Sequence, residues 1–258
     1  MIWEPDDTGR DMRTHTAAAE ADAVHGSAAR LLELARMQAE AGDALQALLS
    51  CRAAVARQLA DAGAHAAAAI EALECSLLAP TFRAQQARIE LAYAHAVRAV
   101  ALDSASARAH SALARVLPER SRVSRGTGKG AAMEAILESL AHARRAIALD
   151  PDVADAHDIV AARTVEWRSV GRVARVAARM LLGARELDAT PMIHALSHAQ
   201  TAVSLEPRCL RYRYTLARAF HAIGTPASAR EHLEVIRDAC PVRPSEVAVQ
   251  RAVAGAAR

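Results

Sequence analysis

Three segments of the chain align without a gap: Leu91 to Ser104, Glu138 to Pro151 and His194 to Pro207. Each places small residues four and then three positions apart and ends five residues later in Pro or Ser. The sets are Ala92, Ala96, Ala99 and Ser104; Ser139, Ala143, Ala146 and Pro151; and Ala195, Ala199, Ala202 and Pro207. Spacings of four and three lie on one face of an α-helix. Small side chains there let a neighbouring helix approach closely, and proline stops the helix because it cannot continue it. Alanine, the best helix former and a poor strand former, supplies 66 of the 258 residues. With 52% apolar residues and a net charge of +3, the chain can bury a core. The expected fold class is all-α.

The pattern resembles the second helix of a tetratricopeptide (TPR) repeat. The last repeat is the most regular: Leu210, Leu216, Ala217 and Phe220, a turn at Gly224-Thr225-Pro226, then Ala229, Leu233, Ile236 and Pro241. Its bounding prolines, Pro207 and Pro241, are 34 residues apart, the TPR period. A weaker repeat opens the chain with Leu31, Leu34 and Ala35, a Gly42-Asp43 turn, then Ala47, Cys51 and Ala54. The resemblance implies a right-handed α-solenoid of about five helix pairs plus a C-terminal capping helix beginning near Ser245. Between the repeated segments, Pro118 to Gly130 reads as a loop, and Glu166 to Thr190 as an extension of one long helix over about 152–183. Residues 1–15 read as a polar tail, 16–88 as degenerate N-terminal TPR-like helices and 89–258 as the main TPR-like domain.

The stretch from Asp155 to Val242 sharpens the resemblance. It holds Ala156-His157, Glu166-Trp167, a long helix ending at Gly183 and the regular last repeat, preceded by the charged segment Pro118–Arg125. These features resemble the regulator of microtubule dynamics family over about residues 88–244. The resemblance implies a TPR-like fold, a protein or peptide partner with tubulin or microtubules among the candidates, and a cytoskeletal or spindle location in a eukaryote.

Catalytic and metal chemistry are poorly represented. There are eleven histidines, and His194 and His198 stand four apart, but the Glu of H-E-x-x-H and a third ligand are missing. His95, His142 and His198 share one register of the aligned segments, and His110 and His157 share another, which points to packing inherited with the repeat. Arg125 to Gly130 fails as a phosphate loop, because Val123 and Gly130 stand where Gly and Ser/Thr are required. The cysteines, Cys51, Cys75, Cys209 and Cys240, form no CxxC and read as small buried hydrophobes of a reducing compartment, a Cys209–Cys240 disulfide being the minor alternative. No catalytic residue, cofactor or metal is expected. No leader or membrane span is apparent, so the expected location is cytoplasmic.

One constellation stands apart. Arg168, Arg172, Arg175 and Arg179 follow spacings of 4, 3 and 4, a positive stripe on a single helix. It is the candidate partner-binding ridge, suited to acidic partners. The expected function is a non-catalytic scaffold whose concave face holds a peptide or helix. The alternatives are a bacterial TPR adaptor, or nucleic-acid binding through the ridge with Arg120, Arg122 and Arg125. Nucleic acid is disfavoured because interleaved aromatics are lacking. Expected packing residues of the repeat are Ala96, Ala99, Ala143, Ala146, Ala199, Ala202, Ala217, Gly224 and Ala229.

Overall fold

A computed structural model describes residues 27–124, 128–181, 187 and 190–256. The polar tail, the beginning of the TPR-like helices expected over 16–88, Arg125 and the helix end expected at Gly183 lie outside the described residues. Twelve α-helices and no strand occur among the described residues. They are α1 (Ala28–Glu40), α2 (Ala44–Arg57), α3 (Ala62–Ser76), α4 (Phe82–Leu102), α5 (Ala107–Val123), α6 (Lys129–Leu149), α7 (Ala154–Ser169), α8 (Arg172–Leu181), α9 (Met192–Leu205), α10 (Leu210–Ala222), α11 (Pro226–Asp238) and α12 (Pro244–Ala256).

The helices pair as α1–α2, α3–α4, α5–α6, α7–α9 and α10–α11, with α12 capping the last pair. First helices stack on one another in the order α1, α3, α5, α7, α10, and each second helix wedges between successive first helices. This is a TPR-like α-solenoid. The alanine stripes explain the close pairing: Ala92, Ala96, Ala99, Ala143, Ala146, Ala195, Ala199 and Ala202 are all fully buried. Ala217 and Ala229 are buried in the last pair. First helices are enclosed on most sides; α7 buries residues all round, including Ile159, Val160, Val165 and Trp167. The core is a row of local clusters, each built from neighbouring helices, as expected where contacts run mainly from unit to unit.

Turn chemistry sets the ends. Gly42 and Gly224 adopt φ of 84° and 86°, the left-handed region open to glycine, and close the first and last helix pairs. Asp43, Asp61, Thr81 and Ser106 cap α2 to α5 by accepting a backbone N–H.

Two expectations are corrected. The loop expected from Pro118 is helical as far as Val123, with Pro118 inside α5. Proline there removes the N–H that would bond the Ala114 carbonyl. The Ser139 hydroxyl of α6 donates to that carbonyl instead, at 2.6 Å. The single helix expected over 152–183 is two. The chain turns extended at Val170, passes Gly171 and restarts as α8. Glycine and a β-branched residue side by side carry poor helix propensity, and Arg175 Nη1 donates to the Arg168 carbonyl at 3.0 Å, binding α8 to the end of α7.

Candidate functional site

The first helices turn one face toward the inside of the superhelix. Glu71 and Glu74 come from α3, Arg115 from α5, Asp155 and Asp158 from α7, and Arg211 and Tyr212 from α10. The coil before α12 adds Arg243. Arg115 donates to Glu74 at 2.6 Å and lies 3.7 Å from Asp155. Arg211 bridges Asp155 and Asp158, and the Tyr212 hydroxyl donates to Asp155 at 3.3 Å. Arg243 donates to Glu71 at 2.7 Å, and the Ser245 N–H donates to Glu74 at 3.0 Å. Four first helices and the C-terminal segment are thus joined by one ionic ladder.

Burial alone would raise every carboxyl in it; the cations decide which ones resist. Glu74 is desolvated, but Arg115, Arg243 and the Ser245 N–H outweigh this and hold it below the usual carboxylate range. Asp155 is likewise held low against burial by Arg211 and Arg115. At Glu71 and Asp158 burial prevails over Arg243 and Arg211 respectively, and both are raised.

Beside the ladder is a cavity of about 280 Å³, lined by Leu73, Arg122, Arg163, Glu166, Tyr214 and Arg218 among others. Its charged walls are largely paired within the chain: Arg122 with Glu119, and Arg163 and Arg218 with Glu166. The coil at Val242 crosses to the first pair, where a Cβ on Gly42 would stand 2.9 Å from the Val242 carbonyl oxygen.

The arginine stripe is divided between two helices. Arg168 ends α7, half-buried, with Nη2 3.5 Å from the Thr190 carbonyl oxygen. Arg175 is engaged with the Arg168 carbonyl. Arg172 and Arg179 are exposed on α8, which carries no acidic residue and buries no side chain fully. Beside its arginines stand Val173, 85% exposed, Met180 and Leu181, each 80% exposed, and Val176, also exposed; Ala178 packs inward. The apolar face of this helix is turned to solvent. Of the other arginines weighed for nucleic acid, Arg120 pairs with Glu90 and stacks on Tyr93, and Arg122 pairs with Glu119.

The histidines meet in pairs. His65 faces His95, His110 faces His142 and His157 faces His198, with Nδ1 to Nδ1 distances of 2.9, 2.7 and 2.8 Å. His65, which the aligned registers left out, is the fourth residue of α3, as His110 is of α5 and His157 of α7. The recurring Ala-His dipeptide at that position was the available signal. The ionic ladder had none, because its members come from five separate parts of the chain. No group of three or more residues able to hold a metal occurs among the described residues. All four cysteines are thiols, with Cys51 and Cys75 buried and Cys240 exposed. Burial, aided by Glu71, pushes the Cys51 thiol up to about 12. Among the described residues, no helix is long and apolar enough to cross a membrane.

The family model described as Regulator of microtubule dynamics protein 1-3 matches residues 34–256, from within α1 to the end of α12. No curated protein matches the chain. Among solved structures, the chain is similar to TTC0263, a TPR protein of Thermus thermophilus. The TM-score is 0.58 at 16% identity, covering 90% of this chain and 99% of that one. MamA of Desulfovibrio magneticus aligns with TM-score 0.40 at 13% identity, over 87% of this chain and 96% of its own.

Proposed function

The chain belongs to the regulator of microtubule dynamics family, and from that premise we propose that it is a non-catalytic scaffold that docks an acidic protein partner through α8. The carrying observation is the orientation of that helix. A short amphipathic helix that shows both its arginines and its valine, methionine and leucine face to solvent has the form of a docking element. The concave cavity is the lesser candidate, because its charges are paired within the chain and the C-terminal segment borders it. The family's name makes microtubules, with their acidic tubulin tails, the first partner to try. Arg172 and Arg179 face the partner; Arg175 and Arg168 hold the helix in place. A cytoplasmic, cytoskeleton-associated location follows from the same reading.

Two double variants test it. Arg172→Gln with Arg179→Gln removes charge and leaves Arg175 on its carbonyl. Val173→Gln with Met180→Gln dulls the apolar face. Both should keep their circular dichroism and melting temperature. An exposed ion pair is worth about 0.2–1 kcal/mol, so the arginine variant should cosediment with microtubules about 2-fold to 30-fold more weakly at low salt. Equal binding by folded variants and parent overturns the assignment to α8. Failure of the parent to cosediment removes the microtubule as partner.

A further inference from the structure

The histidine contacts recur in the same form in three successive helix pairs. In each, Nε2 of the first histidine lies within hydrogen-bond reach of the carbonyl six residues earlier: Leu59 for His65 at 3.3 Å, Ser104 for His110 at 3.1 Å and Pro151 for His157 at 2.9 Å. A carbonyl can only accept, so Nε2 carries the proton and Nδ1 of that ring is left with a lone pair. The second ring, His95, His142 or His198, must then donate its own Nδ1–H across the 2.7–2.9 Å gap. The tautomers of all six rings follow from the carbonyls. Such a pair can carry one added proton, on Nε2 of the second ring, with the Nδ1–H···Nδ1 bond intact; once the first ring is protonated as well, two N–H groups face each other and the pair opens.

We propose that the three histidine pairs are a proton-operated clasp, which holds the helices of the three central repeats together at neutral pH and loosens them in mild acid. The rings sit between helices that touch through fully buried alanines, Ala96, Ala143 and Ala199 among them. That packing is too close to absorb a separation of the rings without opening. The surrounding charges grade the three clasps. His95 faces His65 and Arg52 of α2. His198 faces His157, His194 and Arg144 of α6. His142 faces His110 and is also 3.9 Å from Glu138, a carboxylate that welcomes a proton on the ring. In the last pair Arg213 occupies the position of the first histidine and donates to the Pro207 carbonyl at 2.9 Å, so that position has no proton to gain.

Burial first, and the partner ring second, lower His95, His142 and His198, the last from 6.5 to about 4. The unfolded chain therefore binds more protons than the folded one as pH falls from about 6.5 toward about 4. The stability these rings contribute is complete above that window and is lost on the way down through it.

The test uses the whole chain. Asparagine places an amide nitrogen near the position of Nδ1, so His95→Asn with His142→Asn and His198→Asn keeps a donor and removes a titrating ring from each clasp. The parent's melting temperature should fall between about pH 7.5 and about pH 5, with a rise in radius of gyration by small-angle scattering. The triple variant should lose most of that fall. Equal pH dependence in variant and parent overturns the clasp. Should the variant not fold, nitrogen-15 spectra of the parent's histidines decide. Three rings protonated only at Nε2 and three only at Nδ1 at about pH 7.5 support the clasp, and rapid tautomer exchange in these rings overturns it.

Discussion

At the scale of single residues, the fold depends on partners that replace what the backbone has lost. Pro118 sits inside α5 because Ser139 serves the carbonyl of Ala114. Ser139→Ala should leave a buried carbonyl unsatisfied and cost about 1–3 kcal/mol in urea denaturation. Pro118→Ala restores the N–H that bonds that carbonyl, so adding it to Ser139→Ala should recover much of the loss. A purely additive double variant would show that the hydroxyl acts elsewhere. Glu246 plays a similar part. One carboxylate accepts the N–H groups of Leu210, Val242 and Arg243, at 3.1, 3.0 and 3.1 Å, and so serves the starts of α10 and α12 together. The histidine clasps obey the same logic, with a backbone carbonyl fixing one ring and that ring fixing the next.

At the scale of helices, small residues set the spacing and a few breakers set the lengths. Ala202 is fully buried on α9, near Tyr212 and Ala154. Ala202→Leu should overpack that contact and cost about 1–3 kcal/mol; an unchanged urea midpoint would mean that the α9 stripe does not face its neighbours. The stripes were legible because a spacing of four and three has one geometric meaning on a helix. The break at Val170-Gly171 was not, because the arginine spacing runs through it unbroken. One glycine costs a helix only about 1 kcal/mol, so tertiary contacts decide whether it bends, continues or ends. Here Arg175 on the Arg168 carbonyl and Ala178 against the core settle the matter, and the stripe expected on one helix is divided.

At the scale of the molecule, the superhelix carries its C-terminus back to its first half: α12 touches α3, and Arg243 reaches Glu71 across 172 residues of sequence. Arg243→Ala would leave Glu71 and part of the Glu74 environment buried without their cation. Breaking a buried pair costs about 3–5 kcal/mol, and the partial exposure of Arg243 places the expected loss at the lower end. A lower urea midpoint with a larger radius of gyration is the expected result; an unchanged radius would show that closure rests on α12 alone. By itself, the sequence determined the helical class, the repeat, the turn glycines and the buried alanine stripes, because each is written in residues close together along the chain. The tertiary structure decided that two histidine registers face each other, that carboxylates and arginines from five segments make one ladder, and that α8 shows its apolar face to solvent. Those features depend on distance and burial between remote segments, and local periodicity carries no record of either.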